Sequence, residues 1–109
     1  MGKEADEIKF SPLPDVASRF RAWRLTTRAK VVGASGRGQV SFIWILDTEF
    51  LTWEELGDPG EFEQLDNELE SAVVSIASGE LGRTITRNIG IEAKNRRMLG
   101  GRRALRSGV

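Results

Sequence analysis

The chain has 109 residues, 39% of them hydrophobic and 29% charged, with 16 basic and 16 acidic side chains and zero formal net charge. It contains no cysteine, histidine or tyrosine. That excludes disulfides, thiolate metal sites and thiol nucleophiles, and it removes the commonest general base and metal ligand. The length suits one domain with a modest core.

Met1-Gly2-Lys3-Glu4-Ala5-Asp6-Glu7 is polar and mixed in charge, unlike a signal peptide. Asp6 stands where a myristoylation signal needs Ser or Thr. The longest apolar run, Phe42-Ile43-Trp44-Ile45-Leu46, is too short to span a bilayer. A soluble, cytoplasmic protein with no membrane partner is expected. Pro12 and Pro14 oppose a regular helix, so residues 1–14 are expected to form a flexible arm, with Phe10 and Leu13 able to tuck against the core.

Asp15 is a candidate N-cap. Val16, Phe20, Trp23, Thr27 and Val31 follow at steps of three and four, which predicts an amphipathic helix over 15–33. Gly33-Ala34-Ser35-Gly36-Arg37-Gly38 then reads as a loop. It lacks the Lys-Ser or Lys-Thr of a phosphate loop. Residues 39–50 are rich in β-branched and aromatic types and fit either a strand or a helix buried on most sides. A helix is expected, because a lone strand among helices would leave its backbone groups unpaired. Thr52-Trp53-Glu54-Glu55 matches a capping box that opens a short helix, ended by Gly57-Asp58-Pro59-Gly60.

Phe62, Leu65, Leu69, Ala72, Val73 and Ile76 form the clearest stripe and predict a helix over 60–77, with acidic residues crowding its first half. Leu81, Ile85 and Ile89 extend helical character to about Asn88, bent by Gly79 and Gly82. Ile91 to Leu99 could form a further short helix, broken at Gly100-Gly101. The reading is an all-α, small helical bundle of about four to five helices with flexible N- and C-terminal arms. Its helical domain spans 15–90 and residues 91–109 form a basic tail. Val16, Phe20, Trp23, Ile43, Trp44, Leu65, Leu69, Val73 and Ile76 are the expected core.

Charge is segregated along the chain. Residues 1–46 hold 8 basic and 4 acidic side chains, 47–80 hold none basic and 11 acidic, and 81–109 hold 8 basic and 1 acidic. A solvated acidic face and a solubilising tail explain this in part. Two sharper readings are contact with nucleic-acid phosphates, and an acidic face on one copy meeting a basic face on another. Arg96, Arg97, Arg102, Arg103 and Arg106 are the candidate residues for RNA or acidic-partner contact. No catalytic, cofactor-binding or metal-ligating residue is singled out. Glu54 with Glu55, and Glu61 with Glu63, do not converge on a helix, where neighbours point about 100° apart. The three tryptophans fall on apolar stripes, which suits core packing better than base stacking.

Phe20-Arg21-Ala22-Trp23, then Phe42-Ile43-Trp44-Ile45, then Leu65-Asp66-Asn67-Glu68-Leu69-Glu70-Ser71-Ala72 stand in an order that resembles the N-terminal Gag capsid region of copia-type retrotransposons. Pro12-Leu13-Pro14-Asp15-Val16 and Ser75-Ile76-Ala77-Ser78-Gly79-Glu80-Leu81-Gly82-Arg83 extend the similarity, which covers about residues 8–103. The resemblance implies a non-enzymatic structural protein that assembles with copies of itself around RNA. It also implies a C-terminally truncated Gag, since family members continue with further helices. The zinc knuckle is absent with its Cys and His. The alternative from the residues themselves is a small nucleic-acid-binding module using the basic tail.

Overall fold

Five longer helical segments and one four-residue helix follow each other without a strand in the computed structural model, which describes residues 8–10 and 20–107. Helix α1, Phe20–Ser35, buries Trp23, Thr27, Val31 and Ser35, a step of four at each turn. Positive φ at Gly36 and Gly38 turns the chain back. The Ser35 and Ser41 hydroxyls, 2.6 Å apart, tie the two sides of that turn.

Helix α2, Gln39–Leu46, resolves the ambiguous stretch as helix. Its inner face is Ser41, Trp44 and Ile45, continued by Thr48 in a 3₁₀ turn, Asp47–Glu49. Ile43, expected in the core, is 45% exposed, because the inward stripe runs through Ser41, Trp44 and Ile45, and Phe42 and Ile43 fall on the outer face. Helix α3, Trp53–Leu56, opens on the expected capping box. The Glu55 amide donates to Thr52 Oγ1 and the Thr52 amide donates to Glu55 Oε1. These bonds from Thr52 hold the Glu55 carboxyl below its ordinary pKa.

Helix α4, Glu63–Ile76, packs Leu65, Asp66, Leu69, Ala72 and Val73 inward, while Ile76 is only partly buried. The apolar stripe does not run on unbroken. Ala77 is extended and Gly79 has φ of 58°, so a separate helix, α5, spans Gly79–Lys94. Ile85 and Glu92 are its buried residues, with Leu81 and Ile89 packed at the edge of the core. At the other end of the chain Ile8 is buried and Phe10 meets Trp23 edge-on at 5.9 Å between ring centres. The expected arm is therefore anchored at these residues. Arm residues 1–7 and 11–14, Val16 of the expected first helix and the Phe20 side chain lie outside the described residues.

The main departure from the expected architecture is at the C-terminal side. Residues 91–94 complete α5, a loop carries Leu99 into the core, and helix α6, Gly101–Arg106, lies buried on α4. The basic tail expected over 91–109 is thus a central packing element across 101–106. Gly100 and Gly101 begin this helix instead of ending one. A Cβ at Gly101 would collide with the Leu69 side chain and the Asp66 carbonyl oxygen. Helix propensity alone favours Gly101→Ala, yet overpacking costs about 1–3 kcal/mol. We expect Gly101→Ala to destabilise the protein by that amount in urea unfolding; an unchanged or raised midpoint would contradict the α4–α6 contact.

Candidate functional site

The basic block of residues 81–109 divides into two sets with different roles. Arg102, Arg103 and Arg106 project from α6 towards residues 44–58. Arg102 donates from Nη1 to the Trp44 carbonyl at 3.1 Å and from Nη2 to the Asp58 carbonyl at 2.8 Å, with its guanidinium 4.8 Å from the Trp44 ring centre. Arg103 donates from Nε to the Trp53 carbonyl at 2.8 Å and from Nη1 to Glu92 Oε1 at 2.9 Å. It also lies over the Trp53 ring. Arg106 donates to the Thr48 and Leu51 carbonyls. Arg102 and Arg103 are only 3% and 4% exposed. In this fold both side chains are turned inward, away from the RNA or acidic-partner contact expected of them. Arg106, half-buried and committed to two carbonyls, is likewise occupied within the fold.

Acidic groups anchor α6 at its N-terminal end, where backbone N–H groups attract negative charge. Asp66 Oδ1 accepts from the Arg102 amide at 3.0 Å, and Glu70 Oε1 accepts from the Gly100 amide at 2.5 Å. Burial pushes the Asp66 carboxyl up to about 6, against the opposing pull of the Arg102 and Gly101 amides and of the Arg102 charge; Glu70 adds a further upward push. Burial also draws the Arg102 guanidinium below its ordinary value, offset by Asp66, Asp47 and Asp58.

The second set stays in solvent. Arg83, Arg87 and Lys94 are exposed on α5 at steps of four and seven, which align them on one face. Arg96 and Arg97, two of the expected contact residues, continue this basic surface beyond the helix and are exposed. Arg96 occupies a left-handed conformation, with φ of 58°. Arg97 lies 3.5 Å from Glu92. Arg83 and Arg87 lie outside the basic tail expected over 91–109, although their spacing of four is visible in the sequence.

A contrasting surface surrounds a cleft between the turn that joins α3 to α4 and the 97–100 loop. Exposed Glu54, Asp58 and Glu63 line it together with Asp66, and Arg97, Met98 and Arg103 line it as well. Among the described residues no group of three or more His, Cys, Asp or Glu side chains is placed to hold a metal ion, and no helix is long and apolar enough to cross a membrane. The arrangement is therefore one of surfaces: a cationic helix face and an acidic cleft on the same chain. Compared with models of known families, with curated proteins and with solved structures, the chain matches none.

Two outcomes follow from this division. Arg103→Gln leaves a buried Glu92 carboxylate without its closest cation and should cost about 3–5 kcal/mol, whereas exposed Arg83→Gln should stay within about 0.5 kcal/mol; paired urea titrations measure both. Asp66 has a folded pKa of about 6 against about 3.9 when unfolded. The folded state thus takes up this proton first as pH falls. Its stabilising contribution is complete below about pH 4 and is lost as pH rises through about 6. Between pH 7.5 and 5, the melting temperature of the wild type should rise relative to that of Asp66→Asn, and a constant difference would contradict it.

Proposed function

We propose that the protein is a non-enzymatic, Gag-like assembly module in which the cationic face of α5 on one copy meets the acidic cleft of another. The observation that carries this reading is the separation of charge on a chain of zero net charge. Arg83, Arg87 and Lys94 face solvent from one side of α5, and Glu54, Asp58 and Glu63 surround one cleft elsewhere. Such patches steer encounter and set orientation more than they add affinity. The two patches differ, so the contact is heterologous and repeats from copy to copy. The resemblance of the sequence to copia-type Gag supports the same reading.

A second reading rests on the same α5 face. A row of exposed cations also suits the phosphates of RNA, with Arg96 and Arg97 extending it. The acidic residues separate the two. Replacing Glu54, Asp58 and Glu63 by Gln removes one half of a self-contact but also removes repulsion towards RNA.

Sedimentation velocity at low and high salt tests the assembly. The wild type should associate at low ionic strength and dissociate near 1 M salt, where screening shortens to about 3 Å. Arg83→Gln with Arg87→Gln should remain monomeric at every salt concentration. The triple acidic variant should also be monomeric. Retardation of RNA by the acidic variant, with a monomeric wild type, would instead establish the nucleic-acid reading.

A further inference from the structure

A cavity of about 270 Å³ opens between α1, the Asp47–Glu49 turn and α6, apart from both charged surfaces. Its apolar lining comes from Trp23, Ile45 and Leu105. Trp23 and Ile45 are 9% and 3% exposed, so these walls belong to the packed core and are not a casual surface dent. Arg24, Arg28 and Arg106 also line the cavity, against a single carboxylate, Glu49.

The polar groups there are incompletely matched. Arg24 and Arg28 each use Nη2, and both reach the same Glu49 Oε1. A guanidinium carries five N–H donors in a planar fork, so the bonds to Glu49 among the described residues use only a part of the donors of these two. Their side chains are 34% and 19% exposed, accessible yet partly shielded. Thr48 also lines the cavity, is 8% exposed, and has a hydroxyl without a hydrogen-bond partner among the described residues. A buried hydroxyl in this state costs stability unless a polar atom reaches it.

We propose that this cavity binds a small amphipathic anion, a flat apolar body with one sulfonate, carboxylate or phosphate group. The body would lie against Trp23, Ile45 and Leu105, and the anionic head would face Arg24 and Arg28. Arg106 adds positive potential while its Nε and Nη2 hold the Thr48 and Leu51 carbonyls. The volume stands just below the usual range of ligand pockets, about 300–1,000 Å³, which restricts the body to roughly two fused rings. This site does not depend on the assembly reading.

The test is calorimetric titration of the full chain with naphthalene-1-sulfonate and with uncharged 1-naphthalenemethanol, followed in parallel by amide chemical shifts. Charge-assisted hydrogen bonds to guanidinium should make the sulfonate bind about tenfold more tightly than the alcohol. Shifts should centre on Trp23, Thr27 and Thr48. Arg28→Gln should remove most of this preference, and Arg24→Gln provides a second variant if Arg28→Gln melts early. Glu80→Gln, exposed in the first turn of α5 and not part of the cavity wall, should bind like the wild type. Equal affinity for the two compounds, a preference that survives in both variants, or shifts located elsewhere would overturn the proposal, as would an absence of binding.

Discussion

Backbone carbonyls left over where short helices end are the problem that the rest of this structure is arranged to solve. Residues 44–58 contain the end of α2, a 3₁₀ turn and a helix of only four residues, so few of their carbonyls can find an amide within the same element. Arg102, Arg103 and Arg106 reach six of them, those of Trp44, Thr48, Leu51, Trp53, Glu54 and Asp58. A protein of this size cannot cover such a segment with a thick apolar layer. Three guanidinium groups satisfy it, and those of Arg102 and Arg103 lie over the rings of Trp44 and Trp53. The arrangement places positive charge in the interior, which explains why Asp66, Glu70 and Glu92 converge on the same helix from α4 and α5.

That use of arginine also separates structure from surface. The C-terminal third carries eight basic residues, but three serve the interior and the others stay outside on α5 and the loop after it. The acidic block divides in the same way. Asp66 is buried, Glu70 binds the amide of Gly100, and Glu54, Asp58 and Glu63 remain in water around a cleft. Block charge along the chain therefore overstates the field available to a partner, although the remaining patches still have opposite sign.

The helices were legible where local chemistry alone decides them. Thr52 and Glu55 form a reciprocal cap that needs nothing from the rest of the chain, and the stripe of Leu65, Leu69, Ala72 and Val73 repeats at the helical period. Helix over residues 39–50 follows from excluding an unpaired strand, and it forms over Gln39–Leu46 with a 3₁₀ turn after it. Ile43 shows the limit of that reading, because a run of consecutive apolar residues does not reveal which of them face inward. The role of α6 was hidden for a different reason. Arginines beside Gly100 and Gly101 have the composition of a solvated tail, and their partners are carbonyls, which no side-chain pattern displays. Two adjacent glycines ahead of Ala104 and Leu105 were the available signal, since they permit the close approach to Asp66 and Leu69. The unmatched Thr48 hydroxyl was likewise invisible, because it depends on what tertiary packing leaves around it.

The position of α6 in the chain has a kinetic consequence. Its hydrogen bonds to α4 and to residues 44–58 join residues 36 to 58 positions apart, so none of these can form while the polypeptide is being made until its arginine has emerged. Contacts of that span must bear the entropy of closing a long loop before they return anything. Until then the carbonyls of Trp44, Thr48, Leu51, Trp53 and Asp58 lack their arginine partners, while that of Glu54 already accepts from the Gly57 amide, and the face of α4 towards α6 lacks its cover. Biogenesis should thus be dominated by one late docking event, with α1, α2 and α4 waiting as partly ordered pieces for a six-residue plug.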